Sequence, residues 1–355
     1  MWYSLTIFLE VFVMAQHFVG FWNVENLFGP EDHPPRIPWV ARKMAGDLTG
    51  WTQAMYRRKL EQLDAVISQM NAGNGPDILG MCEVEDRFVL EDLLVLLSAS
   101  TGRVYDIVHA DNLHDLRGID TAFIYDRDRY SVDPSTVFNH FVIRRTGTRD
   151  ILQATFATGD GQELILLANH WPSRSGGAEK SAGFRATAGE TLGYWHSRIR
   201  EEARDKDRSC VLALGDFNDD PFDPSLRFNA NSTREHGDVE RAQSAKFYNF
   251  SWEYLIWQAQ DHRGKDRQLN GTLYYAGNGN VFDQILASRP MLDGGAAGFK
   301  VADGTAKPFF IPSMVSHKTS EGPIRFGLPK GDATKVNLDG YSDHFPVVIQ
   351  LVDAV

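Results

Sequence analysis

The feature that most restricts the fold is a succession of short apolar runs, each closed by turn residues, which is the pattern of β-strands. The runs are Phe18–Val24, Asp77–Cys82, Val104–Ala110, Thr121–Tyr125, Ile151–Ala157, Glu163–Asn169, Ser209–Gly215, Val281–Ala287 and Phe345–Val352. Helical periodicity lies between them. Met55–Met70 places Leu60, Leu63, Val66, Ile67 and Met70 on one face, and Phe88–Leu97 and Phe184–Arg200 behave alike. Some strands are apolar on both faces and others alternate, so the pattern predicts an α/β chain of two packed sheets with helices outside. Gly29–Thr52, Pro221–Gln243 and Met291–Gly340 read as long loops, which in a compact domain tend to be functional or mobile. No linker interrupts the chain, so residues 16–355 are expected to form one domain.

Residues 1–15 stand apart from it. Trp2–Ala15 is apolar and ends in Met14-Ala15-Gln16, a small-residue cleavage point, but it lacks a basic start and Glu10 interrupts it. The stretch reads as a degenerate export signal or an extra N-terminal strand, too short to span a bilayer. A secreted or periplasmic location is favoured over the cytoplasm on that reading.

A net charge of −11 argues against a protein that coats nucleic acid non-specifically, because such binding depends on Lys and Arg neutralising phosphates. It leaves room for an enzyme whose metal ion supplies the local positive charge. Cys82 and Cys210 adjoin apolar runs and read as buried free thiols. There is no glycine-rich dinucleotide fingerprint after the first strand and no phosphate-binding Gly-Lys-Ser/Thr loop.

The chemistry lies where apolar strands end. Val211-Leu-Ala-Leu-Gly-Asp-Phe-Asn runs out through Gly215 to Asp216 and Asn218, which alternation in an extended segment puts on one side. A carboxylate and an amide so placed can orient an attacking water and hold a phosphoryl oxygen. A plain strand-to-turn exit would use the same residue types. The design recurs, however, with Asn23 ending the first strand, Glu83 the second, His170 another, and Asp343-His344 preceding the last. Asp283 sits within an apolar strand, where an unpaired carboxylate is expensive.

The order Asn…Glu…His…Gly-Asp-x-Asn…Asp-x-Ile…Ser-Asp-His resembles the endonuclease/exonuclease/phosphatase superfamily of deoxyribonuclease-like phosphoesterases, from Phe21 to Leu351. His170-Trp-Pro-Ser-Arg resembles a bacterial subgroup of mostly uncharacterised members. The resemblance implies a four-layer α/β/β/α sandwich of two mixed sheets, with the site at one end between them.

It also implies roles. Glu83 is the expected main Mg²⁺ ligand, with Asn23 nearby and Asp343 a further ligand. Mn²⁺ is the expected substitute, and zinc is disfavoured for want of closely spaced histidines. His344 would pair with Asp283 and act on the water or clamp the phosphate. Asp216 would orient or deprotonate the water, and Asn218 would bind phosphate. Whether Asp216 or His344 is the base stays open. His170 matches a position that is His or Tyr in different branches, and Asp120 is its expected partner. Arg174, Lys180 and Arg185 read either as a small basic rim for phosphate or as solvated loop charges. The expected activity is Mg²⁺-dependent hydrolysis of a phosphodiester by a monomer, with nucleic acid favoured as substrate over a small-molecule, sugar or lipid phosphate. A binding protein that kept the fold and lost activity is disfavoured, because Glu83, Asp216, Asn218 and His344 are all present.

Overall fold

The computed structural model describes residues 15–33, 36–111, 117–145, 147–205, 208–292 and 298–353. The expected signal segment, apart from Ala15, lies outside them. Strands β1 (Gln16–Leu27), β2 (Ile78–Val84), β3 (Tyr105–His109), β4 (Asp120–Asp126), β17 (Phe299–Val301) and β19 (Val347–Asp353) form one mixed sheet in the order β17-β19-β1-β2-β4-β3. A short strand β18 (Lys307–Pro308) adds to β19. The second sheet runs β10-β11-β16-β9-β8-β7-β5, with β6 also on β7. Its members are β5 (Tyr130–Val132), β6 (Phe138–His140), β7 (Ile151–Thr158), β8 (Glu163–His170), β9 (Cys210–Asp216), β10 (Ser232–Thr233), β11 (Phe247–Asn249) and β16 (Asp283–Ser288). Two small hairpins, β12–β13 (Trp257–Gln260, Asp266–Leu269) and β14–β15 (Leu273–Tyr275, Asn278–Asn280), fill the connection before β16.

Side-chain alternation decides the layers. Phe21, Ile78 and Phe123 of the first sheet meet Leu152, Leu164, Leu212 and Ile285 of the second in one apolar cluster between the sheets. Their neighbours face outward. Trp22, Leu79 and Met81 pack with Leu63 and Val66 of helix Gln53–Ile67 and with Val89 and Leu93 of helix Arg87–Thr101. On the far side Leu167, Val211 and Ala213 pack with Ala188 and Leu192 of helix Ala178–Glu202. The result is the expected helix/sheet/sheet/helix stack. Gly80 sets how near the sheets come, since a Cβ there would lie 2.8 Å from both Leu214 Cδ1 and Phe21 Cδ2.

The long loops are less empty than their composition predicts. Gly29–Thr52 contains the helix Pro38–Leu48, which buries Val40, Met44 and Leu48. Met291–Gly340 supplies β17 and β18, and Pro221–Gln243 holds the short helix His236–Glu240. Cys82 and Cys210 are buried and unlinked.

Candidate active site

Strand register brings the polar exits together. His170 on β8 pairs with Asp216 on β9, and Asp216 pairs with Asp283 on β16, so three exits form one lateral row. On the facing sheet Asn23 pairs with Cys82, whose neighbour is Glu83, and Val84 pairs with Asp120. Gly215 lets this row form. A Cβ there would lie 2.2 Å from the Asn169 carbonyl oxygen on the adjacent parallel strand, so any other residue would push β8 and β9 apart.

The two rows touch across the gap. Asn23 Nδ2 donates to Asp216 Oδ2 at 3.1 Å, and His170 Nε2 lies 3.7 Å from Glu83 Oε1 and 3.8 Å from Asp216 Oδ2. His344 Nδ1 meets Asp283 Oδ2 at 2.8 Å. Its Nε2 then faces Asp216 Oδ2 and Asp343 Oδ1, each at 3.9 Å. Backbone contacts fix that histidine, because Trp22 Nε1 donates to the His344 carbonyl at 2.9 Å and His344 N donates to Ser342 Oγ at 3.1 Å. Asn23, Glu83, His170, Asp216, Asp283, Asp343 and His344 therefore converge at one end between the sheets.

Asn218 joins them differently from the expectation. The chain has turned at this point (φ +51°), so Asn218 is not the next residue of an extended run. Its N–H donates to Asp216 Oδ1 at 3.0 Å and its side-chain amide to the Trp171 carbonyl at 3.0 Å. Glu25, Asn26 and Glu83 also have left-handed backbones, at φ +52°, +55° and +65°. Such conformations cost on the order of 1–3 kcal/mol each and gather where a site constrains the chain.

Electrostatics separates the two histidines. Burial and the charges of Arg149, Arg117 and His344 hold His170 well below the usual imidazole range, so it is neutral. Burial opposes the charge on His344 as well, but Asp283 and Asp216 outweigh it and raise the imidazole well above its ordinary value. Burial pushes Asp216 up to about 6 against the pull of His344. Burial, then Glu25, pushes Asp343 up to about 7. Glu83 stays below the usual carboxylate range because Arg117, His344 and Arg149 together overcome its burial.

Three expectations need correction. The Asp120–His170 pair does not form: Asp120 Oδ2 lies 3.0 Å from His109 Nε2, and His170 Nδ1 has no hydrogen-bond partner among the described residues. Arg185 is only 2% exposed and cannot sit on a rim. Its Nε lies 2.7 Å from Asp219 Oδ1, and Arg174 Nη2 reaches the same oxygen at 2.7 Å and Asp223 Oδ2 at 2.5 Å. These guanidinium groups neutralise local carboxylates. Lys180 is exposed in the first turn of helix Ala178–Glu202, and no described contact links it to the site.

The sequence reading also missed residues. Arg117 Nη1 lies 3.5 Å from Glu83 Oε1, and its Nη2 donates to Asn26 Oδ1 at 2.8 Å. Glu25 is 2% exposed and pairs with Arg325 Nη2 at 2.7 Å, while Arg325 lies 3.6 Å from Asp343. Buried Arg149 donates to the Trp171 carbonyl at 3.2 Å. Glu25 was foreshadowed by its position two residues after Asn23. The arginines carry no local sequence signal.

The donor set suits a divalent cation. Glu83 Oε1 is buried, yet the nearest described donor is Arg117 at the long distance of 3.5 Å, while Asp216 and Asp343 sit with raised pKa values among further carboxylates. A hard cation with oxygen ligands relieves such crowding. Glu83 would hold it, with Asn23 and Asp343 beside.

Two mixed sheets sandwiched by helices, with Asn, Glu, Asp and His residues gathered at one end, form the architecture that the sequence motifs predict. Residues 18–353 match the model of the Endonuclease/Exonuclease/phosphatase family, and the chain belongs to that family. No curated protein matches the chain. Among solved structures it is similar to an endonuclease/exonuclease/phosphatase family protein from Bacteroides thetaiotaomicron, with 15% identity, a TM-score of 0.53 and 96% of each chain covered. A mannosyl-6-phosphatase from the same organism is also similar, with 15% identity, a TM-score of 0.51, and 95% of this chain and 99% of that one covered. Truncated TDP2 from Caenorhabditis elegans gives 18% identity, a TM-score of 0.51, and coverage of 96% and 98%. These likenesses show the fold. No helix among the described residues is long and apolar enough to cross a membrane.

Proposed function

We propose that residues 16–355 act as one divalent-metal-dependent phosphoesterase domain that hydrolyses phosphodiesters by in-line attack of water, with nucleic acid as the favoured substrate class. The observation that carries this reading is the Asp283–His344 pair, which turns a cationic Nε2 toward Asp216 and Asp343 beside the acidic Glu83. A metal ion held by Glu83, with Asn23 and Asp343, would neutralise charge on the phosphoryl and leaving oxygens.

The protein's own groups divide the remaining work. His344 is protonated at neutral pH and suits a clamp on a non-bridging phosphate oxygen. Asp216, pushed up to about 6, suits the base that takes a proton from the attacking water, since a base is most effective when its pKa is near the working pH. Asn23 aims Asp216 through its amide, and neutral His170 offers a further polar contact between Glu83 and Asp216. Asn218 Nδ2 retains a second N–H for phosphate beside its bond to the Trp171 carbonyl.

A second reading, hydrolysis of a small phosphate ester, is favoured by one observation. Arg174 and Arg185 are engaged by Asp219 and so do not supply the small phosphate rim, while Arg117 and Arg325 stay close to the acidic centre. The deciding experiment incubates the chain and its His344→Ala variant with plasmid DNA, RNA and a panel of phosphorylated sugars and head-group diesters. Metal-dependent nicking that His344→Ala abolishes supports the nuclease. Turnover confined to small esters replaces it with the second reading.

A further inference from the structure

One cluster of ligand-type side chains takes no part in the site above. Asp86, His109 and Asp111 each bring one donor atom to within 4.8 Å of the others. His109 is the hub. It ends β3, and its side chain is 4% exposed. Its Nε2 lies 3.0 Å from Asp120 Oδ2, a contact that suits an N–H on Nε2 and, in the neutral ring, leaves the lone pair on Nδ1. Its Nδ1 faces Asp111 Oδ1 at 3.8 Å, beyond hydrogen-bond range. Asp86 caps helix Arg87–Thr101 with one carboxylate oxygen, accepting from the Arg87 N–H, and its other oxygen makes no described hydrogen bond.

In the neutral ring an imidazole lone pair would face two carboxylates, a repulsive arrangement that a cation reverses. A carboxylate holding the far ring nitrogen is also the usual support of a metal-bound histidine, fixing its tautomer and orientation. We propose that Asp86, His109 and Asp111 form a second divalent-cation site, separate from the Glu83 centre and oriented by Asp120. One imidazole nitrogen with two carboxylates suits Mn²⁺ or Zn²⁺ over Mg²⁺. Asp120, expected at the catalytic histidine, thereby becomes a positioning residue for this ion. Because Asp86 follows Glu83 by three residues, the ion would tie the end of β3 to the turn that follows the Glu83 end of β2.

The rival is an ordinary protonated His109 between its carboxylates, which needs no ion. The test uses the full chain, stripped of metal with chelator and carrying Glu83→Gln to silence the first centre, titrated calorimetrically with Zn²⁺ and Mn²⁺. The expected result is saturable binding of a single equivalent. Asp111→Asn in that background should weaken it by about tenfold or more, and Asp120→Asn by about 10–100-fold, the usual loss for a group that orients a ligand. Asp111 is exposed, so its variant should keep the fold, as checked by an unchanged thermal unfolding curve. Failure of the Glu83→Gln chain to bind an ion, or binding that Asp111→Asn leaves unaltered, overturns the proposal. Both arms carry Glu83→Gln, so failure here is separate from failure of the metal centre at Glu83.

Discussion

Two regions of the molecule bury carboxylates beside one another and resolve the problem in opposite ways. Around Asp219, Arg174 and Arg185 close in at 2.7 Å and Ser225 Oγ donates at 2.5 Å, so the charge is neutralised within the chain. Around Glu83, Asp216 and Asp343 the cationic contacts are long, at 3.5 to 3.9 Å, and Asp216 and Asp343 are held in part as the neutral acid. The first is a closed structural cluster. The second leaves its carboxylates without a close cationic partner among the described residues, as the proposed metal centre requires. Both arise from the same Gly-Asp-Phe-Asn-Asp exit after β9, with Asp216 facing the site and Asp219 facing away.

The contrast breaks most easily at its structural end. Asp219→Ala should strand the buried Arg185 guanidinium and lower stability by about 3–5 kcal/mol, as judged by urea unfolding. A loss near that of a surface substitution would mean the cluster is not the closed pair described. At the open end, His344→Ala and Asp216→Asn should each lower kcat about a hundredfold or more, roughly 3 kcal/mol, with unfolding little changed. Losses under about tenfold would mean the roles are misassigned.

A pH–rate profile sharpens the same half of the comparison. Asp216 must be ionised to accept a proton, and its pKa is raised to about 6. Activity should therefore be retained above that value and fall about tenfold per unit below it. A profile flat through this region would remove Asp216 as the base. The smallest effect belongs to Lys180, where Lys180→Ala should change stability by no more than about 0.5 kcal/mol and leave kcat/KM close to wild type. A large rise in KM would restore it to a phosphate rim.

What was legible in the sequence follows from these distinctions. Asn23, Glu83, His170, Asp216, Asp283 and His344 could be found because each ends or interrupts an apolar strand, and strand register then aligns such positions. Asp120 was located correctly at the start of its strand but given the wrong partner, because its choice of His109 over His170 depends on pairing between β3 and β4 that no periodicity encodes. Arg174 and Arg185 looked available for the same reason, since their carboxylates lie many residues away in the chain. Helix Pro38–Leu48 was legible and overlooked. Its Val40, Met44 and Leu48 recur every fourth residue, a helical stripe hidden among loop-forming neighbours.

Metal dependence of hydrolysis is the most direct test of the central claim, that the convergent carboxylates around Glu83 hold a cation which serves the phosphate chemistry. The measurement is turnover of bis-p-nitrophenyl phosphate by chelator-treated protein as Mg²⁺ or Mn²⁺ is titrated back, for the wild type and Glu83→Gln. The account predicts no turnover with EDTA, saturable recovery with either metal, and no recovery in the variant at wild-type metal concentrations. Turnover that survives EDTA, or a Glu83→Gln chain that recovers as the wild type does, would contradict it.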